Sequence, residues 1–124
     1  MTLAGSGPAG RPGDPPRRPA GPRGDRPGRT ALLAEFTARP GAEARVAALV
    51  RELAGQVREE PGNELFRVHT RGDDPRAYCI YEVYRDEEAF RAHLAAAYGA
   101  RFNAALRDLI EENGSVLTFL TPAD

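Results

Sequence analysis

The chain has no lysine and no tryptophan, one cysteine (Cys79) and two histidines (His69 and His93). A single cysteine excludes an intramolecular disulfide and any metal site made only of cysteine. It also fits a reducing compartment, so a cytoplasmic location is expected. No run of about 18 apolar residues occurs, so no helix is expected to span a membrane. The N-terminus lacks the apolar segment of a secretion signal. The histidines and scattered acids show no metal-ligand spacing. No glycine-rich loop joins a strand to a helix as a phosphate cradle would. Neither a metal nor a nucleotide cofactor is therefore expected.

What is present divides the 124 residues in two. Residues 1–29 are built from Pro, Gly, Arg, Ala and Asp, with almost nothing large and apolar after Leu3. Such a segment cannot offset the entropy of ordering and is expected to be a disordered tail. Its six Arg against two Asp give +4, whereas residues 30–124 hold eleven Arg against sixteen acids, or −5. An acidic body argues against nucleic-acid binding. The excess of Ala, Arg, Gly and Pro fits codon bias in a GC-rich genome and carries little functional weight.

Periodicity orders the second part. Residues 30–38 alternate, with Leu32, Ala34 and Phe36 on one face, which predicts a strand. Pro40-Gly41 breaks it. Val46, Leu49, Val50, Leu53 and Val57 recur every three or four residues and predict an amphipathic helix over 42–59. Pro61-Gly62 stops that helix. Residues 63–71 and 76–84 have strand character on either side of the turn Gly72-Asp73-Asp74-Pro75, and predict an antiparallel hairpin. Asp86 is placed to cap a helix, with Glu87 and Glu88 at its positive end. That helix is expected to run to Tyr98, break at Gly99, and resume from Phe102 to Glu112 before Asn113-Gly114. Residues 115–120 predict a last strand. The order β-α-β-β-α-β is an α+β, ferredoxin-like arrangement with both helices on one sheet face. The other face keeps apolar and aromatic residues. It is expected to meet a second copy of itself, giving a homodimer.

Pro40-Gly41, Glu59-Glu60-Pro61-Gly62-Asn63, Tyr81-Glu82-Val83-Tyr84 and Asp86-Glu87-Glu88-Ala89-Phe90-Arg91-Ala92-His93-Leu94 occur in this order across residues 30–120. Together they resemble the antibiotic biosynthesis monooxygenase domain. The resemblance implies a dimeric α+β barrel in which the sheets of two ferredoxin-like units pack face to face. Some members oxidise polycyclic phenols or hydroquinones to quinones with O₂ and neither metal nor flavin, and others degrade haem or isomerise small metabolites. Many members end the Glu-x-Trp strand with tryptophan, where this chain has Tyr84. The haem-degrading members' Asn and His fall near Glu35 and Tyr98. All three haem-associated residues are thus replaced, which argues against haem degradation.

His93 matches the family's Ala-His and is the leading candidate for a catalytic base, since imidazole titrates near neutrality. The alternative is a helix histidine that hydrogen-bonds or packs. Glu82, flanked on its own face by Ile80 and Tyr84, must find a partner or shift its pKa. It either orients His93, binds a substrate hydroxyl, or forms a structural ion pair with an arginine. Tyr84, Tyr98, Phe66, Phe90 and Phe102 are candidates for an aromatic substrate slot, with the tyrosines favoured and the phenylalanines equally explained by core packing. His69 is expected to point away from the helices, and Cys79 to be a small buried hydrophobe. The function expected is cofactor-independent oxygenation of a small phenolic or hydroquinone substrate by O₂. A non-catalytic binding dimer and a cofactor-free isomerase are the alternatives.

Overall fold

In the strand Thr30–Thr37 (β1), alternation buries Leu32, Ala34 and Phe36 to between 1% and 5% exposure. Around β1 the chain builds a four-stranded antiparallel sheet, in the order Asn63–Arg71, Asp74–Tyr84, β1 and Val116–Leu120. This is a computed structural model describing residues 28–124. Residues 1–27, and with them nearly all of the expected tail, lie outside the described residues. Arg29, at the end of that stretch, pairs with Glu64.

The helix Glu43–Val57 (α1) follows β1, and then the hairpin Asn63–Arg71 (β2) and Asp74–Tyr84 (β3). The helices Glu87–Ala95 (α2) and Ala97–Leu106 (α3) come next, with a short 3₁₀ turn at Arg107–Leu109 and the edge strand Val116–Leu120 (β4). The fold is ferredoxin-like. Register places Leu32 opposite Glu82 and Phe119, Ala34 opposite Ile80 and Leu117, and Phe66 opposite Glu82. Directly opposed residues share a face. These residues therefore face the helices, and Val46, Val50, Leu53 and Val57 of α1 close over them. The opposite face carries Ala31, Leu33, Leu65, Tyr81 and Val83, and both core clusters draw only on the helix side. His69 lies opposite Cys79 on this second face, with its Nδ1 3.2 Å from the Cys79 carbonyl oxygen. Cys79 is half-buried, and burial raises its thiol pKa first, with Glu35 adding to it.

Two boundaries differ from those expected by three residues or more. The helical break falls at Ala96, which is extended (φ −69, ψ 134), and Gly99 lies inside α3. Phe90 and Phe102 are twelve residues apart, so one continuous helix would point them about 120° apart. The break at Ala96 turns both toward the sheet, where Phe90 joins Leu32 and Tyr84, and Phe102 joins Phe36 and Leu53. The helix also stops earlier than Glu112. Ile110 bridges to Ala38, and the Glu111 N–H donates to the Thr37 carbonyl at 2.9 Å. The Glu112 carboxylate accepts from the Thr37 N–H at 2.7 Å and its hydroxyl at 2.9 Å. The unpaired groups at the end of β1 are satisfied this way, so the extended form wins over another helical turn.

Candidate functional site

Asp86 starts α2 by accepting the Ala89 N–H at 2.8 Å, as the sequence predicts. From that fixed start, Phe90, His93 and Leu94 share one helix face by their three- and four-residue spacing. They look down on the end of β3. The His93 ring lies 4.9 Å from the Tyr84 ring and 5.9 Å from the Phe90 ring, so its orientation is set by packing on two sides.

Below the ring, Glu82 is 5% exposed. Its Oε1 accepts a 2.8 Å hydrogen bond from the Tyr84 hydroxyl, and lies 4.0 Å from His93 Nε2. Among the described residues these, rather than an arginine, are its neighbours. Burial pushes the Glu82 carboxyl above its ordinary range, and the Tyr84 bond and His93 only partly oppose it. Tyr84 is raised as well, first by its own burial and then by the charge of Glu82, so it remains a neutral donor.

Above the ring is a residue with no role in the sequence reading. The Oε2 of Glu60 lies 3.0 Å from His93 Nδ1. The Tyr98 hydroxyl, from the first turn of α3, donates to the same oxygen. Glu60 sits in the turn after α1, where the Glu60 N–H bonds to the Val57 carbonyl and Asn63 N–H to the Glu60 carbonyl. Gly62 lets this turn approach α2 closely, since a Cβ there would come within 2.3 Å of the Ala89 Cβ. Gly62→Ala is expected to force α2 and the turn apart. The cost is about 1–3 kcal/mol of overpacking, read by thermal melting. The Glu60–His93 bond should lengthen with it. A variant as stable as the parent would show that the contact does not hold the turn.

Glu82 and His93 both line a partly open cleft between the sheet and the α2–α3 corner, with about 80 Å³ in which a water molecule can be centred. Its walls include Phe66, Phe90 and Phe102, together with Leu32, Leu94 and Leu117. Five of the seven candidate residues named from sequence therefore border one space. Tyr84 and Tyr98 are not in its lining. They stand behind it, each bonded to one of the two carboxylates that flank His93. Glu60 was legible only as part of the Glu59-Glu60-Pro61-Gly62-Asn63 turn, because its partner is 33 residues away.

The sequence profile of the antibiotic biosynthesis monooxygenase family matches residues 30–105. The chain belongs to the antibiotic biosynthesis monooxygenase family. A Mycobacterium tuberculosis protein of solved structure superposes with a TM-score of 0.72 at 24% identity, covering 77% of this chain and 96% of its own. A Nitrosomonas europaea protein named for the same family gives 0.71 at 19%, covering 77% and 90%. One from Caulobacter crescentus gives 0.72 at 20%, covering 78% and 92%. These likenesses establish the shared fold. No functionally curated protein matched the chain. Within this monooxygenase-family domain, the His93 site occupies the cleft on the helix side of the sheet.

Proposed function

We propose that this family member is a cofactor-independent monooxygenase that converts a small phenolic or hydroquinone substrate to a quinone with O₂. The observation that carries the reading is His93 Nε2, beside Glu82, on a cleft walled by Phe66, Phe90 and Phe102. The aromatic walls suit a flat ring. His93 takes the phenolic proton, as a general base must lie within reach of it. The electron-rich phenolate then reduces O₂ itself, and a carbon–oxygen bond forms at a ring position bearing hydrogen. Loss of that ring hydrogen as a proton and cleavage of the O–O bond leave the quinone. The second oxygen atom departs as water, carrying the two protons that the substrate has lost. Glu82 in its neutral form gives a proton to the departing oxygen and regains one from the protonated His93, whose Nε2 is 4.0 Å away, and the apolar walls of the cleft hold the phenolate away from bulk water.

The test is oxygen uptake by the purified protein against a panel of mono- and polycyclic phenols and hydroquinones, without added metal or flavin. Saturable uptake with stoichiometric quinone supports the proposal. Uptake no faster than the autoxidation of each substrate, across the panel, would overturn it. We also propose that a second copy covers the sheet face bearing Leu33, Leu65 and Tyr81. Sedimentation showing a monomer at micromolar concentration would remove that part.

A further inference from the structure

We infer that Glu60 and Tyr98 are the positioning pair that sets the tautomer of His93, fixing the proton on Nδ1 and leaving the Nε2 lone pair toward the cleft. The catalytic consequence rests on the oxygenase reading above, but the tautomer itself does not.

An ionised carboxylate can only accept, so the 3.0 Å contact between Glu60 Oε2 and His93 Nδ1 requires a proton on that nitrogen. The opposite nitrogen lies 4.0 Å from Glu82 Oε1, beyond hydrogen-bond reach, and both residues line the cleft. Among the described residues, the titratable groups facing the ring are Glu82 and Tyr84 from β3, Glu60 from the turn after α1 and Tyr98 from α3. Of these only Glu60 is within bonding distance of a ring nitrogen.

Glu60 is itself held. Tyr98 donates to the same Oε2, and the Glu60 side chain is only 16% exposed. Its backbone is fixed by the turn, and the Gly62–Ala89 approach sets the height of that turn against α2. The break at Ala96 supplies the last part, since it starts α3 where Tyr98 reaches back over His93 to Glu60. Three separate chain segments therefore converge on one imidazole. A histidine needing only to pack has its ring contacts already in Tyr84 and Phe90. The carboxylate on Nδ1 adds what packing cannot, a defined proton position.

The experiment is long-range ¹⁵N–¹H correlation of the imidazole in uniformly labelled full-length protein, without substrate. It is run about two pH units above the reference histidine value of roughly 6.5. His69→Gln in the same background assigns the signals. In the parent, His93 should show the Nδ1–H form as its main tautomer. Glu60→Gln can turn its amide to donate to Nδ1, which moves the population to Nε2–H. In a substrate-active protein that variant should lose about 10²–10⁴ in kcat with little change in KM, as when an amide replaces a histidine-orienting carboxylate. Tyr98→Phe leaves the carboxylate but loosens it, giving a mixed tautomer and a smaller loss, and it serves if Glu60→Gln does not fold. An Nε2–H parent, or variants with the parent's tautomer, would overturn the inference whatever the activity. The expected tautomer shift in a protein that consumes no oxygen with any phenol would support it, and would sink the oxygenase reading alone.

Discussion

His93→Ala is expected to lower turnover of a phenolic substrate by about 10²–10⁴-fold, the range that a positioned general base supplies. The loss should fall mainly on kcat. Proton removal occurs in the reacting complex, whereas ring stacking against Phe66, Phe90 and Phe102 persists in the variant and sustains binding. The substitution also leaves a hole the size of an imidazole beside Tyr84 and Phe90. Added imidazole should enter that hole and restore part of the rate in a saturable manner, most at pH values where imidazole is neutral. The stability cost should be modest, about 1–2 kcal/mol, because the ring is at the edge of the smaller core cluster rather than inside it. A variant with unchanged kcat/KM would remove His93 from the mechanism. A variant that lost activity only by unfolding would show a thermal midpoint collapsing together with the rate, and no rescue.

The fold was legible because its signals are local. The α1 stripe, the alternation of β1, the Pro61-Gly62 stop and the Asp86 cap each lie within a few residues of the feature they specify. They agree with one another, as expected of a foldable sequence. The break between α2 and α3 was less legible. Gly99 is the residue a helix tolerates poorly, yet the chain bends at Ala96, because the position of the bend is decided by where Phe90 and Phe102 must land on the sheet. Tertiary packing overrides propensity there. The end of α3 shows the same thing. Nothing in residues 107–112 reads as an edge partner for β1, and only the neighbouring strand makes it one. In the site, His93 stood out through its match to the family's Ala-His, and Glu82 as an acid in an apolar strand. Glu60 did not, since an acid in an exposed-looking turn is usually solvated. Its meaning comes from Gly62 and Tyr98, which bring α2 and α3 onto it.

Glu82→Gln is expected to make the protein more stable near neutral pH and less active, two opposite effects from one buried carboxyl. Gln is nearly isosteric, and its carbonyl oxygen still accepts from the Tyr84 hydroxyl that donates to Glu82 at 2.8 Å. What changes is ionisation. Burial raises the folded-state pKa of Glu82 above its ordinary value of 4.5. The native state therefore holds this proton more tightly than the unfolded chain does. Its contribution to stability is fully present below about 4.5 and is lost as pH rises from there through the folded value. Gln does not titrate, so the gain from Glu82→Gln should be small in acid, grow as pH rises above that ordinary value, and then level off. Each pKa unit of elevation corresponds to about 1.4 kcal/mol. Each kcal/mol regained should raise the melting temperature of a domain this size by about 4–8 °C. Turnover should fall at the same time by about 10²-fold, because an amide can donate a hydrogen bond to the departing oxygen but cannot give it a proton. Melting curves across pH, with oxygen uptake on the same samples, separate the two effects. A stability gain equal at acid and neutral pH would mean that Glu82 matters only through packing. A neutral-pH gain with undiminished uptake would confine the carboxyl to a cost the fold carries, and would take it out of the chemistry.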